Sequence, residues 1–198
     1  MGVKPFKSVT EVEAITYLKT HNVFDTVILQ ANARKYIKLI NDKKNDTIIY
    51  KNPNWWIQNH IQPIQTICFD NRKNKCLFSY FNCIAETRNL TQFTWNKFNE
   101  LETFPPREYT STKWTDSLFT FDDITNTIHH FGTEHAANIN TKNYDYTVFI
   151  FYSLSVRKQA DNLIRETNIY LNKFVPNRYI LYYINFDEVL YQMSKVNN

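Results

Sequence analysis

The sequence predicts a mixed α/β fold, a sheet with helices packed on it, and three patterns carry that expectation. Residues 146–152 are an unbroken β-branched and aromatic run, the composition of a strand buried on both faces. After it, Ala160, Leu163, Ile164, Thr167, Leu171 and Phe174 recur three and four residues apart, the spacing of one helix face. A second apolar run follows Pro176-Asn177 at 178–186, so strand, helix and strand define a right-handed parallel βαβ unit at the C-terminal end of the chain.

The other elements follow in chain order. A helix is expected over 10–20, capped by Ser8 or Thr10, with Glu11 and Glu13 in its first turn and Val12, Ile15 and Leu18 apolar. Residues 25–30 read as a buried strand, and 33–40 as a helix with Tyr36, Ile37 and Ile40 on one face. Residues 47–50 are a short strand candidate, and Trp55-Trp56 falls between Pro53 and Pro63 in an irregular or short helical stretch. The runs 64–69 and 75–81 bracket a polar turn and predict a hairpin. Phe93, Lys97 and Leu101 share helical register over 90–101, and 121–131, entered through Asp122-Asp123, reads as a short helix. In the last long helix Ser155 is the expected cap, with Asp161 and Arg165 an i,i+4 pair on the outer face.

With 198 residues and 23.8 kDa, the chain fits one domain over 1–198, and Pro105-Pro106 marks a possible subdomain break near 103–115. There are only two glycines, Gly2 and Gly132, where average usage gives roughly 14. Phosphate loops, dinucleotide fingerprints and nucleophile elbows need several closely spaced glycines and are excluded. Turns must use the next most tolerant residue, asparagine, and 41–46, 70–74 and 176–177 are the expected places. The Asn-x-Thr triplets at Asn45 and Asn89 follow from that abundance.

The net charge is +4, and the basic residues are scattered, the densest stretch being Arg72-Lys73-Asn74-Lys75. That footprint predicts no nucleic-acid partner. No apolar run reaches the ~18 residues of a membrane span, and no leader pattern opens the chain. Both a cytoplasmic location and export with the leader already removed stay open. Phe6 stands where a myristoylation motif needs Ser or Thr.

His129, His130, Glu134 and His135 offer enough donor atoms for zinc, but Gly132 interrupts the helix that would align them. A polar helix end with loop histidines accounts for them, so neither a metal nor a cofactor is expected. Cys68, Cys76 and Cys83 form no CxxC pair. Cys68 and Cys76 flank the hairpin turn and could face one another across it, or all three could be reduced packing residues. The acid pairs Asp122-Asp123 and Asp187-Glu188 stand at expected helix starts, where the helix dipole explains them.

The strand ending at Tyr152 and the turn Ser153-Leu154-Ser155-Val156 that opens the next helix resemble the place where redox members of the thioredoxin-fold family carry their two cysteines. Pro63, the hairpin over 64–81 and the helix over 90–101 resemble the proline-strand-strand-helix half of the same family. The resemblance implies either a permuted thioredoxin-like order or a thioredoxin-like unit formed by 26–101 alone. It implies no dithiol exchange, because the turn holds no thiol. The expected function is a non-catalytic binding or interaction protein whose partner is a protein or a small ligand. Its groove would lie near Tyr152, Ser153, Ser155 and Pro63, with Trp55 and Trp56 as interface aromatics. The alternatives are a single-cysteine thiol-dependent oxidoreductase using Cys83, and a nucleic-acid module using the hairpin.

Overall fold

The computed structural model describes residues 5–23, 28–45, 61–81, 119–174 and 177–196. The expectations for 47–50, Trp55, Trp56, Cys83, 90–101 and the break near 103–115 lie outside them.

Six strands form one mixed sheet: β1 (Ile28–Ala31), β2 (Gln65–Asp70), β3 (Lys75–Phe81), β4 (Ile128–His130), β5 (Tyr146–Tyr152) and β6 (Tyr179–Asn185), in the order β3-β2-β5-β6-β1-β4. β5, β6 and β1 run parallel; β2 is antiparallel to β5, β3 to β2, and β4 to β1. Among the described residues five α-helices accompany it, α1 (Glu11–Lys19), α2 (Ala33–Asn45), α3 (Phe121–Thr125), α4 (Arg157–Phe174) and α5 (Asp187–Val196), with a 3-10 turn (Leu154–Val156) leading into α4. The mixed α/β class and the parallel β5-α4-β6 unit are as the sequence predicts.

The alternation of β5 explains its unbroken apolar run. Phe149 and Phe151 enter a core shared with Tyr36 and Ile40 of α2 and Val189 and Leu190 of α5. Val148, Ile150 and Tyr152 enter the opposite core, with Leu18 of α1 and Leu163, Ile164 and Leu171 of α4. Helices therefore cover both faces, and a strand in the middle has no side left for water.

Thr10 is the cap of α1 and closes a capping box with Glu13, the second of the two candidates. Asparagine does replace glycine where the backbone turns left-handed: Asn22, Asn74, Asn143 and Asn177 have φ of 58°, 49°, 75° and 61°. The expected turn at 41–46 is corrected, since α2 continues through Asn45 and Lys38 pairs with Asp42 one turn on.

Four other local expectations change. The helix over 121–131 stops at Thr125, and residues 128–130 become edge strand β4 against Gln30 of β1. A free sheet edge outweighed the weak helical preference of Thr125, Thr127 and Ile128. The cap after β5 is Ser153, whose hydroxyl accepts from the Ser155 amide at 3.1 Å. Asp161 does not face outward to Arg165: one of its oxygens accepts from the Tyr17 hydroxyl at 2.8 Å and lies 2.9 Å from His21 Nε2, docking α1 on α4. Finally, a bulge between Cys68 and Phe69 sets Cys76 opposite Phe69, so Cys68 and Cys76 occupy opposite faces of the sheet, both buried and not bridged to each other. The self-contained unit over 26–101 is also excluded, because β5 and β6 stand between β1 and the hairpin.

Candidate functional site

Because β5, β6 and β1 are parallel, their carboxyl ends meet on one side of the sheet, the usual place for a site in an open α/β fold. At the ends of β5 and β6 the polar groups close on themselves around Asp187, which has no solvent exposure. Its carboxylate accepts from the Ser153 hydroxyl, from Ser155 Oγ at 3.3 Å, from the Leu154 amide at 2.9 Å and from Asn185 Nδ2 at 2.8 Å. The Asp187 amide donates back to Asn185 Oδ1 at 3.2 Å, and Phe186 N–H reaches the Tyr152 carbonyl at 2.8 Å. Four donors and the first turn of α5 take the place of a counter-ion for this buried charge.

Of the sequence-predicted site residues, Tyr152, Ser153 and Ser155 stand here, Trp55 and Trp56 lie outside the described residues, and none of the described ones lines either cleft discussed below. Tyr152 is buried and stacks on Tyr17 with ring centroids 5.4 Å apart. Its hydroxyl lies beside Asn185 without a hydrogen bond of ordinary geometry, and burial, then the Asp187 charge, pushes the phenol well above its ordinary range. Ser153 and Ser155 are buried and committed to Asp187. Pro63 is half-buried and precedes β2 by two residues; the β2–β5 register begins at Gln65 opposite Phe151 and does not include it.

Beside this closed network the surface opens. A cleft of about 640 Å³ at the end of β1, between α2 and α5, is lined by Asn32, Arg34, Ile37, His129, Glu188 and Gln192 among others. A shallower one of about 370 Å³, flanked by Ser8, Thr10 and Glu11, shares Gln30 and Glu188 with it. Asn32 caps α2 by accepting from the Lys35 amide at 3.0 Å, and Gln192 donates to Glu188 at 2.7 Å. His129 Nδ1 meets the carbonyl of Thr133. A carbonyl only accepts, so Nδ1 carries the proton and the neutral ring keeps its lone pair on Nε2.

The cleft was not legible in advance, since Gln30, His129, Glu188 and Gln192 come from three separate segments. The only signal was a polar residue, Gln30, at the end of an apolar strand.

The histidines stand in and after β4, with His130 and His135 exposed, rather than at a helix end. Among the described residues no group of three His, Cys, Asp or Glu side chains could hold a metal ion. Asp123 completes the capping box of α3 with Thr120. Its burial opposes its charge, but Lys43 at 2.9 Å and the Thr120 donors prevail and lower its pKa. Burial pushes the Cys68 thiol far up, as expected of a packing residue rather than a nucleophile. No described helix is long and apolar enough to cross a membrane. Comparison with known proteins finds no matching family model, no curated relative and no solved structure.

Proposed function

We propose that the chain is a non-catalytic binding protein on a redox-inactive thioredoxin-like scaffold of permuted order. Support for the scaffold comes from the hairpin β2–β3, which lies antiparallel beside the βαβ unit, with Pro63 two residues before β2. That turn holds Ser153, Leu154, Ser155 and Val156, so the thiolate that dithiol exchange requires is missing.

One observation carries the binding reading. Every polar side chain at the β5 and β6 ends except the Tyr152 hydroxyl is consumed inside the network around Asp187, while the neighbouring cleft stays open to solvent, mostly apolar along Ala31, Ile37, Ile61 and Met193 with Arg34, His129 and Glu188 among its lining residues. The network holds the strand ends still, and the cleft takes a small ligand or the tip of a protein partner. Cys68 and Cys76 are both buried, so the rival thiol enzyme rests on Cys83, outside the described residues.

Two experiments test this. Amide chemical-shift mapping with a library of small polar fragments should move Gln30, Asn32, Glu188 and Gln192 together; hits confined to other surfaces would remove the cleft from consideration. Alkylation of the native protein should leave Cys68 and Cys76 unmodified on the time scale on which free cysteine reacts fully. A fast-reacting, low-pKa Cys83 would replace the binding reading with the thiol enzyme.

A further inference from the structure

The cleft at the end of β1 carries unlike charges that do not neutralise one another. Arg34 stands in the first turn of α2 and Glu188 in the first turn of α5, and both line it. They form no ion pair with each other, and exposed Arg34 has neither an ionic nor a hydrogen-bonding partner among the described residues. Half-buried Glu188 accepts, among the described residues, only from the neutral amide of Gln192 at 2.7 Å. His129 lines the same cleft, and with Nδ1 committed to the Thr133 carbonyl its Nε2 lone pair is left over.

These groups are also ordered. The shallower cleft shares Glu188 with the larger one and adds Glu11, whereas Arg34 lines the larger cleft alone. Acidic groups therefore stand on the side where the two clefts join. The cation stands on the side of α2, whose first turn holds no acid to offset the helix dipole. The rest of the larger cleft is mostly apolar, along Ala31, Ile37, Ile61 and Met193. A simple anion would meet Glu188, a simple cation would meet Arg34, and a hydrocarbon would take water from both charges and give nothing back. A molecule with both charges on an apolar body answers all three.

We propose that this cleft binds a zwitterion with an apolar body, the chemistry of an apolar amino acid or of a short apolar peptide with free ends. Its carboxylate meets Arg34, whose planar guanidinium suits two oxygens at once. Its ammonium donates to Glu188 and to Nε2 of His129, and its side chains cover Ile37, Ile61 and Met193. The cleft volume of about 640 Å³ lies within the range of small-ligand sites. This inference rests on the binding reading above and names the ligand of the same cleft.

The test titrates the full, isotope-labelled chain with leucylphenylalanine and with phenylalanine, and follows the amides of Gln30, Asn32, Glu188 and Gln192. These amides should shift together and saturate; tighter binding of the dipeptide assigns a peptide, and of phenylalanine a free amino acid. N-acetylation or C-terminal amidation of the tighter ligand should each weaken binding about tenfold, the loss of one charge-assisted contact. Glycylglycine, a zwitterion without an apolar body, should also bind at least about tenfold more weakly. Arg34→Gln should erase the preference for the free carboxylate over the amide and keep the penalty of N-acetylation. Glu188→Gln, which keeps an acceptor for Gln192, should do the reverse. Each variant is read as a ratio of two ligands on one protein, so a change in stability does not imitate the result. Blocked ligands that bind as tightly as free ones, or a carboxylate preference that survives in Arg34→Gln, overturn the proposal. If these zwitterions leave the four amides unmoved while other small fragments move them, the zwitterion is wrong and the cleft still binds. If nothing moves them, both readings fall.

Discussion

The two ends of the sheet use buried carboxylates in opposite ways. At the carboxyl end, Asp187 is sealed off and satisfied by hydroxyl, amide and side-chain amide donors, with no cation in the network. At the amino end, Asp70 and Asp145 are spent on arginines that remain in contact with water. The first arrangement is a joint, because it ties the turn after β5 to the start of α5. The second is a mount, because it orients cations that other molecules can reach. A joint fails when one member is lost, whereas a mount loosens.

The sharpest way to break this comparison is at the joint. Asp187→Ala leaves four donors without an acceptor in a buried site, and should cost about 3 kcal/mol or more in urea unfolding. Asp187→Asn keeps one acceptor oxygen but aims an NH₂ at donors, and should still cost about 2 kcal/mol. A loss below about 1 kcal/mol for the alanine variant would mean that the network does not hold the strand ends.

The mount should respond less. Arg178→Ala removes the bond to Asp145 and the contact with Tyr146, but the Asp145 carboxylate keeps access to water, so about 1 kcal/mol is expected. Its loss should shrink in high salt, whereas that of Asp187→Ala should not. Equal salt sensitivity at the two ends would erase the distinction.

This contrast also marks what the sequence could say. The β5-α4-β6 unit was legible because its signal is local: an unbroken apolar run, a 3.6-residue period, a second run. β4 was not, because a three-residue edge strand has no period of its own and exists only through Gln30 beside it. Asp161 pointed to Arg165 by spacing, yet its partners Tyr17 and His21 lie 144 and 140 residues away. Asp187 gave only the signal of an acid at a helix start, which the dipole explains without the four donors. The cations of the amino end looked scattered because the hairpin tip, the loop before β5 and Arg178 are joined by topology alone. Ser153 and Ser155 were singled out with Tyr152, and hydrogen bonds to Asp187 hold both serines at the end of β5. What sequence could not tell was that both hydroxyls turn inward.

The smallest effect concerns the rim of the carboxyl end, where α1 begins beside the shallower cleft. Lys7 at 2.8 Å, then the backbone and hydroxyl donors of Thr10, lower the Glu13 carboxyl from 4.5 to about 2. A depressed carboxyl stabilises the fold above its unfolded value and loses that contribution as pH falls through the folded one, so the α1 cap should weaken between about pH 4.5 and 2. Thr10→Ala removes the reciprocal half of the box and should cost about 1 kcal/mol at neutral pH. In the Thr10→Ala variant the acid-dependent part of the loss should be smaller, since one of the groups that depress Glu13 is gone. Helicity of α1, followed through the amide resonances of 11–19 during acid titration, reads this directly. If α1 frays while the Asp187 network stays protected from exchange, the joint is independent of the rim; if both give way together, α1 docking through Tyr17 on Tyr152 is part of the joint itself.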